Sequence, residues 1–430
     1  GNQAGQSGQN TTSISIGSLA GYSFQSANTI AIGFSSGKTS QNLEAVALGT
    51  NAGFYKQLQG ALAIGVNSGY SNQGGNSAAL GANSGRLNQG ASSIALGTNS
   101  GESTQGASSI AIGASAGQST QGSESVAIGL SAGQITQKAG AIAIGFNAGK
   151  TDQDSQSVAI GVNAGTHSQL SQALSLGFNA GRSNQGIRAT AIGYDSGFCN
   201  QLINSVAIGA FSGNTNQMSN ATAIGTFSGY SNQGKESIAL GFSAGEIGQG
   251  SQSTAIGFLS SNINQGIQSV SIGYKAGQST QGSQSISIGF EAGQSTQKSQ
   301  ALSVGYRAGR SNQGAQSTAL GNNAGESTQG SQSISIGSSA GQSEQGNNAI
   351  SVGLTAGAYK QSDFSTAIGS YAGSSGQNTY SLALGFSSGE SAQGSRAISI
   401  GASAGKITQG EDALSIGFSA GENRPHSPEK

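Results

Sequence analysis

Glycine stands at every sixteenth residue of this chain. Gly1, Gly17, Gly33 and Gly49 open a series that reaches Gly401 and Gly417 without a slip, giving 27 anchors and 26 complete repeats in 430 residues. A fixed period with no drift describes one turn of chain stacked on the last. Such an array buries its core between neighbouring turns, so the length prior of two or three globular domains does not apply.

With the anchor glycine as slot 0, slots 13 and 15 are apolar almost throughout, as in Val126 and Ile128 or Ile286 and Ile288, and slot 14 is only Ala or Ser. Alternation of this kind marks a short strand with one buried face. Hydrophobicity alone turns slots 13 and 15 inward, each Ile or Leu then contributing roughly 1.5–3 kcal/mol. A second strand is expected at slots 5–8. Slots 5 and 7 carry charges (Arg182, Glu246, Lys56, Asp152), whereas slot 6 is mostly Ser but accepts Ile135, Ile247, Ile263, Leu87 and Cys199. That mixture suggests an inward slot 6 and, by alternation, an inward slot 8.

Slot 8 is Gln in 26 of 27 cases, with Pro425 the exception. Turns spaced by ~4.8 Å let one buried amide bond to the next. Burying such an amide unpaired would cost a few kcal/mol. The expected ladder includes Gln25, Gln41, Gln57, Gln121, Gln201, Gln281, Gln345 and Gln409. The alternative is a solvent-facing Gln retained from duplication.

Slot 4 is Gly in 26 of 27 cases, Ser261 being the exception, and slot 3 is only Ala or Ser. Pairs such as Gly17 and Gly21, Gly113 and Gly117, and Gly273 and Gly277 describe a tight bend needing positive φ or close backbone approach. A further turn is expected at slots 9–11. Slot 1 holds 11 of the 24 aromatic residues, among them Phe34, Phe146, Tyr194, Tyr274, Tyr306 and Phe418, and a discontinuous stack up one corner is expected.

Charges occupy slots 2, 5, 7, 9, 10 and 11 and never slots 12–15 of the complete repeats. With slots 13 and 15 placed inward, slots 12 and 14 become an outward, uncharged stripe that includes Ser125, Ala127, Ala143, Ala159, Ala207 and Ala239. A solvent face would collect charge over so many repeats, so this stripe is read as a self-association surface. Glutamate at Ala127, Ala143 and Ala159 is then expected to disrupt assembly.

The chain carries 17 basic and 17 acidic residues, which disfavours a nucleic-acid groove or a polybasic membrane patch. No apolar run approaches the ~18 residues of a membrane helix. Cys199 is the only cysteine and His167 and His426 the only histidines, so no disulfide framework, metal centre, cofactor site or nucleophile triad is expected. Gly248 and Gly250 lie on the repeat lattice and do not form a phosphate loop. Asn10-Thr11-Thr12 and Asn220-Ala221-Thr222 match the glycosylation sequon, a weak signal in Asn-rich sequence. The chain opens within a repeat and without an initiator Met, which reads as a fragment or processed form. The organisation expected is one solenoid array over 1–422 and a polar, Pro-containing tail over 423–430. Twenty-six rises of ~4.8 Å would span roughly 125 Å.

Ser125-Val126-Ala127-Ile128-Gly129, recurring as Ser157-Val158-Ala159-Ile160-Gly161, resembles the head repeats of trimeric autotransporter adhesins. Similar Ala-Ile-Gly-x-x-Ala-Gly repeats occur in phage and giant-virus fibre proteins. The motif covers nearly the whole chain, although adhesin head repeats are usually a little shorter than 16 residues. The resemblance implies a left-handed parallel β-roll, three chains together, displayed on a cell or virion and binding a host or environmental surface such as glycan or matrix.

Ala116-Gly117 followed by Ser119-Thr120-Gln121 is also similar to part of the 16-residue coil of bacterial ice-nucleation proteins. Their paired outward Thr rows and Tyr ladder are missing here. The Gly, Ser and Ala content admits a third reading, a silk-like cross-β filament. The fold expected is all-β: a parallel solenoid of about 26 coils, with two short strands per coil and an internal Gln ladder. The function expected is that of a structural or adhesive surface fibre without enzymatic activity.

Overall fold

In the computed structural model, which describes residues 1–421, the chain is all-β and winds as a parallel β-solenoid of about 26 turns. Each turn contributes two strands of two or three residues, one at slots 6–8 and one at slots 13–15, as in Ile135–Gln137 and Ile142–Ile144. Two compact units divide the chain, Gly1–Asn220 and Ala221 onward. In the first unit the strands run from Ser7–Gln9 to Thr215–Gln217, and in the second from Thr222–Ile224 to Leu414–Ile416. Pairing within each unit is parallel and advances by one repeat: Ile110 pairs with Val126 and Val126 with Ile142, while Thr254 pairs with Val270. The tail 423–430 and Pro425 lie outside the described residues.

Left-handed backbone closes each turn. Slots 2, 4, 7 and 11 adopt φ near +55°, as in Asn147 (54°), Gly149 (51°), Asp152 (53°) and Gln156 (58°). Glycine holds slot 0 throughout and slot 4 in all but one turn, where Ser261 adopts φ 44°. At Gly145, φ is 129° and an added Cβ would sit 2.5 Å from the Gly161 carbonyl oxygen of the next turn. At Gly117 it would meet the Gln121 amide oxygen at 2.6 Å. The bends expected at Gly17, Gly21, Gly113, Gly117, Gly273 and Gly277 therefore have both positive φ and close approach. Asn and other polar residues fill most of the remaining left-handed slots because their side chains lessen the steric cost.

The first strand faces the opposite way from the expectation. Ser125, Ala127, Ala143, Ala159, Ala207 and Ala239 are fully buried, so they form the core rather than a surface stripe. Ile94 and Leu96, which flank Ala95, are 40% and 43% exposed. Volume overrides hydrophobicity here. A one-residue change of face exchanges the whole alternating set, so the pattern has two solutions. The interior accepts only the smaller set: the Ala31 Cβ would lie 3.2 Å from a Cβ placed on Gly37. The apolar core is accordingly alanine, with Ala111, Ala116, Ala127, Ala132, Ala143 and Ala148 in one cluster. Buried serines at slot 12 and many at slot 3 are satisfied within their own turn: the Ser125 hydroxyl donates to the Gly122 carbonyl at 2.7 Å and that of Ser84 to Gly81 at 3.0 Å.

Slot 6 is the second correction. Ile135, Ile247 and Ile263 are exposed, and Leu87 and Cys199 are only partly covered. The left-handed residue at slot 7 breaks the alternation, so an inward slot 8 no longer requires an inward slot 6.

The glutamines are the large side chains of the interior. Gln25, Gln41, Gln57, Gln121, Gln201, Gln281 and Gln345 are at most 2% exposed and Gln409 is 7% exposed. From Gln41 onward the amides bridge the two sheets: Gln41 Nε2 donates to the carbonyl of Ile30 at 2.9 Å, and Gln121 Nε2 to that of Ile110 at 2.7 Å. Ladder bonds join successive turns, including Gln25 to Gln41 (2.8 Å), Gln57 to Gln73 (3.0 Å), Gln201 to Gln217 (3.1 Å), Gln281 to Gln297 (3.2 Å), Gln345 to Gln361 (3.1 Å) and Gln393 to Gln409 (3.3 Å).

The ladder is segmented rather than continuous, since Oε1 of Gln89, Gln105, Gln121 and Gln137 has no partner. Every orphaned glutamine oxygen, including those of Gln57, Gln249 and Gln265, follows a turn with Ala at slot 14. Where slot 14 is Ser, its hydroxyl donates to that oxygen, as from Ser175 to Gln185 (2.7 Å) and Ser287 to Gln297 (2.7 Å).

Two predictions follow from this interior. Ala143→Leu overfills it and is expected to cost about 1–3 kcal/mol or more. Ile144→Lys, on the outer face, should cost no more than about 1 kcal/mol, because the position is only partly covered. Chemical denaturation of the two variants checks the facing, and the reverse order of cost would refute it. Ala127→Ser supplies a donor to Gln137 Oε1 and should stabilise the chain by up to about 1 kcal/mol. Ser287→Ala should lose a similar amount, measured in the same way.

Candidate interaction surface

The turn presents two unlike faces. On the slot 13–15 sheet, slot 15 is Ile, Leu or Val in all 26 turns. Slot 13 is Ile, Val or Leu with scattered Thr and a single Ala, Ala78. These side chains point outward, and neighbours above and below cover only part of each. Slot 1, at the adjoining corner, carries no charge in any turn and mixes large rings and aliphatic residues with Ala, Thr, Ser and Asn. Part of this corner is a continuous ring stack. Centroids of Phe242, Phe258, Tyr274, Phe290 and Tyr306 follow one another at 5.2, 5.4, 4.8 and 5.1 Å. Lys275 lies 5.3 Å from the Tyr274 ring and Arg307 5.1 Å from the Tyr306 ring. Phe178 and Tyr194 form a shorter stack in the first unit at 5.1 Å, so the corner stack is discontinuous, as the sequence suggested.

The other face is mixed, carrying the charged slots together with exposed aliphatic residues such as Ile135, Ile247, Leu202 and Ile203. Around slot 6 it carries shallow grooves, one of about 300 Å³ lined by Arg310, Ser311, Glu326, Ser327, Gln342 and Tyr359. Surface amides form ladders that the sequence reading did not anticipate. At slot 11, Gln332 donates to Gln316, and the series continues through Gln300, Gln284, Gln268 and Gln252 at 3.0–3.3 Å, ending on the Glu236 carboxylate at 3.0 Å. At slot 2, Asn147, Asn163 and Asn179 donate in the opposite direction and end on Asp195 at 2.8 Å. A carboxylate thus accepts from the donor end of each ladder. A cation meets the acceptor end of others: Arg188 donates to Gln172, and Arg310 to Gln294. The signal for these ladders was present in the sequence as Asn and Gln recurring at one slot in consecutive turns.

The Gln252 amide, with Lys235, holds the Glu236 carboxyl below its ordinary range, and the Arg396 guanidinium does the same for Asp412. A lowered folded-state pKa gives a contribution present above the ordinary carboxylate range and lost as pH falls through the lowered value. Glu236→Gln should therefore flatten part of the acid limb of a stability–pH curve, and denaturation midpoints between pH 6 and 2 read the difference. An unchanged acid limb would show that this ladder end contributes nothing.

Among the described residues, no group of three His, Cys, Asp or Glu side chains converges as a metal site, and no helix is long and apolar enough to cross a membrane. His167 lies exposed in the strand His167–Gln169. No protein-family model matches the chain, and no curated protein is significantly similar to it.

Proposed function

We propose that this chain is a structural and adhesive β-solenoid module of an extracellular, cell or virion surface, working through repeated contacts along its faces rather than through catalysis. One observation carries the reading: an outward row of Ile, Leu and Val that meets no charge and no exception in any complete turn. Slots 2, 5, 7, 9, 10 and 11 of the same turn accumulate Lys, Arg, Asp and Glu, whereas the exposed slots 1 and 6 share the absence of charge but not the unbroken aliphatic character. From strand dimensions, slots 13–15 offer roughly 600 Å² per unit, and inclusion of slot 1 brings this to roughly 1,000 Å². Ordinary monomers rarely expose apolar patches beyond about 300–600 Å². A stable interface needs about 800 Å² per partner. The face is therefore large enough to be a subunit seam, with the charge-bearing face left outward to meet a surface by avidity.

This seam replaces the Ala and Ser stripe, and the resemblance to trimeric adhesin and viral fibre repeats makes a homotrimer the expected assembly. A second reading, ice binding, draws support from the same face, because slots 13 and 15 form a regularly spaced array containing Thr190, Thr222, Thr254, Thr318 and Thr366.

Light scattering at micromolar concentration separates the readings. A homo-oligomer is expected, and Ile128→Lys, Ile144→Lys and Ile160→Lys together should yield a monomer with unchanged circular dichroism. A native chain that is monomeric and shows thermal hysteresis would establish the ice-binding reading instead.

A further inference from the structure

We infer that the partner on the apolar face is a second copy of this chain, and that the ring stack Phe242–Tyr306 sets the axial register between copies. The inference rests on the self-association reading above.

The aliphatic rows provide adhesion without position. Slot 15 is Ile, Leu or Val throughout, so sliding one copy by a whole turn replaces each contact with an equivalent one and loses only the overlap at the ends. A row that offers the same aliphatic contact every turn does not by itself select one of these offsets. Slot 1 is the adjoining uncharged row, and unlike slot 15 it varies in size. Within the second unit, after Thr226, it reads Phe242, Phe258, Tyr274, Phe290, Tyr306, then Asn322 and Ser338 before Leu354. Five large rings followed by two small polar residues form a step in the surface. The rings are held by stacking within 5.4 Å and by Lys275 and Arg307, and Phe242, Phe258 and Tyr306 are each about 45% exposed. They are thus fixed before any partner arrives, as an interface anchor should be. A slip of two turns would set the end of one stack beside the polar residues of the other copy and leave apolar ring edges uncovered.

The test uses the full chain with Cys199→Ser, Ser338→Cys and Ser370→Cys, two slot-1 positions separated by two turns. Intermolecular disulfides are mapped by mass spectrometry, with like-to-like links distinguished by isotope labelling of half the chains. The expected pattern is 338–338 and 370–370 linkage. Adding Phe258→Ser, Tyr274→Ser and Phe290→Ser should leave the oligomer mass unchanged while 338–370 links appear.

Unchanged like-to-like linkage in that variant would overturn the register assignment and leave the seam standing. Loss of the oligomer would show that the rings are adhesive rather than register-setting, which also overturns it. An oligomer that gives no slot-1 link at all would place this corner outside the contact. A chain that is monomeric before any ring is replaced refutes the seam itself, so the two failures are distinguishable.

Discussion

The interior between the two sheets is narrow, and everything else in the molecule answers to that. Ala, Ser and Gly, with Thr29 the one larger residue of its row, fill the space between the sheets, and a single long side chain, Gln at slot 8, reaches across to the facing sheet. Burial of methyl groups contributes little per residue in such a core. Stability is instead distributed over backbone ladders, buried amide bridges and close contact between turns, each repeated down the chain. The oddity of a protein that buries alanine and exposes isoleucine follows from this spacing.

Much of this was legible in the sequence. The exceptionless Gly17-to-Gly417 period gave the winding, and the invariant Gln25-to-Gln409 series gave the bridging amides. Facing was not legible from hydrophobicity, because Val126-Ala127-Ile128 alternates equally well in either orientation. The deciding signal was size: slot 14 never exceeds Ser, a restriction that solvent does not impose and a tight interior does. The misplacement of Ile135 and Ile247 has another origin. Strand logic assumes extended backbone, and Thr136 at φ 54° interrupts it in the middle of the strand.

The same inversion moves the candidate site. A charge-free stripe was foreseen in the correct sheet, but on the side of the sheet that holds the core. What lies outside is more strongly apolar than the Ala and Ser row could have been, and it adjoins the ring stack that begins at Phe242. The charge-bearing face shows the complementary strategy. With few charges to distribute, the chain places several of them at the ends of amide ladders, as at Glu236, Asp195 and Arg310, where the aligned dipoles make each one most effective.

Sixteen-residue closure also bears on how the chain folds. Within either unit, every turn meets partners one repeat away, so the sequence distance that must be spanned stays constant however many turns are added. Most all-β proteins fold slowly because their strands must find partners far along the chain. Here a nascent turn can settle on the one synthesised just before it, and propagation from any nucleus is favoured. Lengthening by duplication therefore adds stacked surface without adding a search.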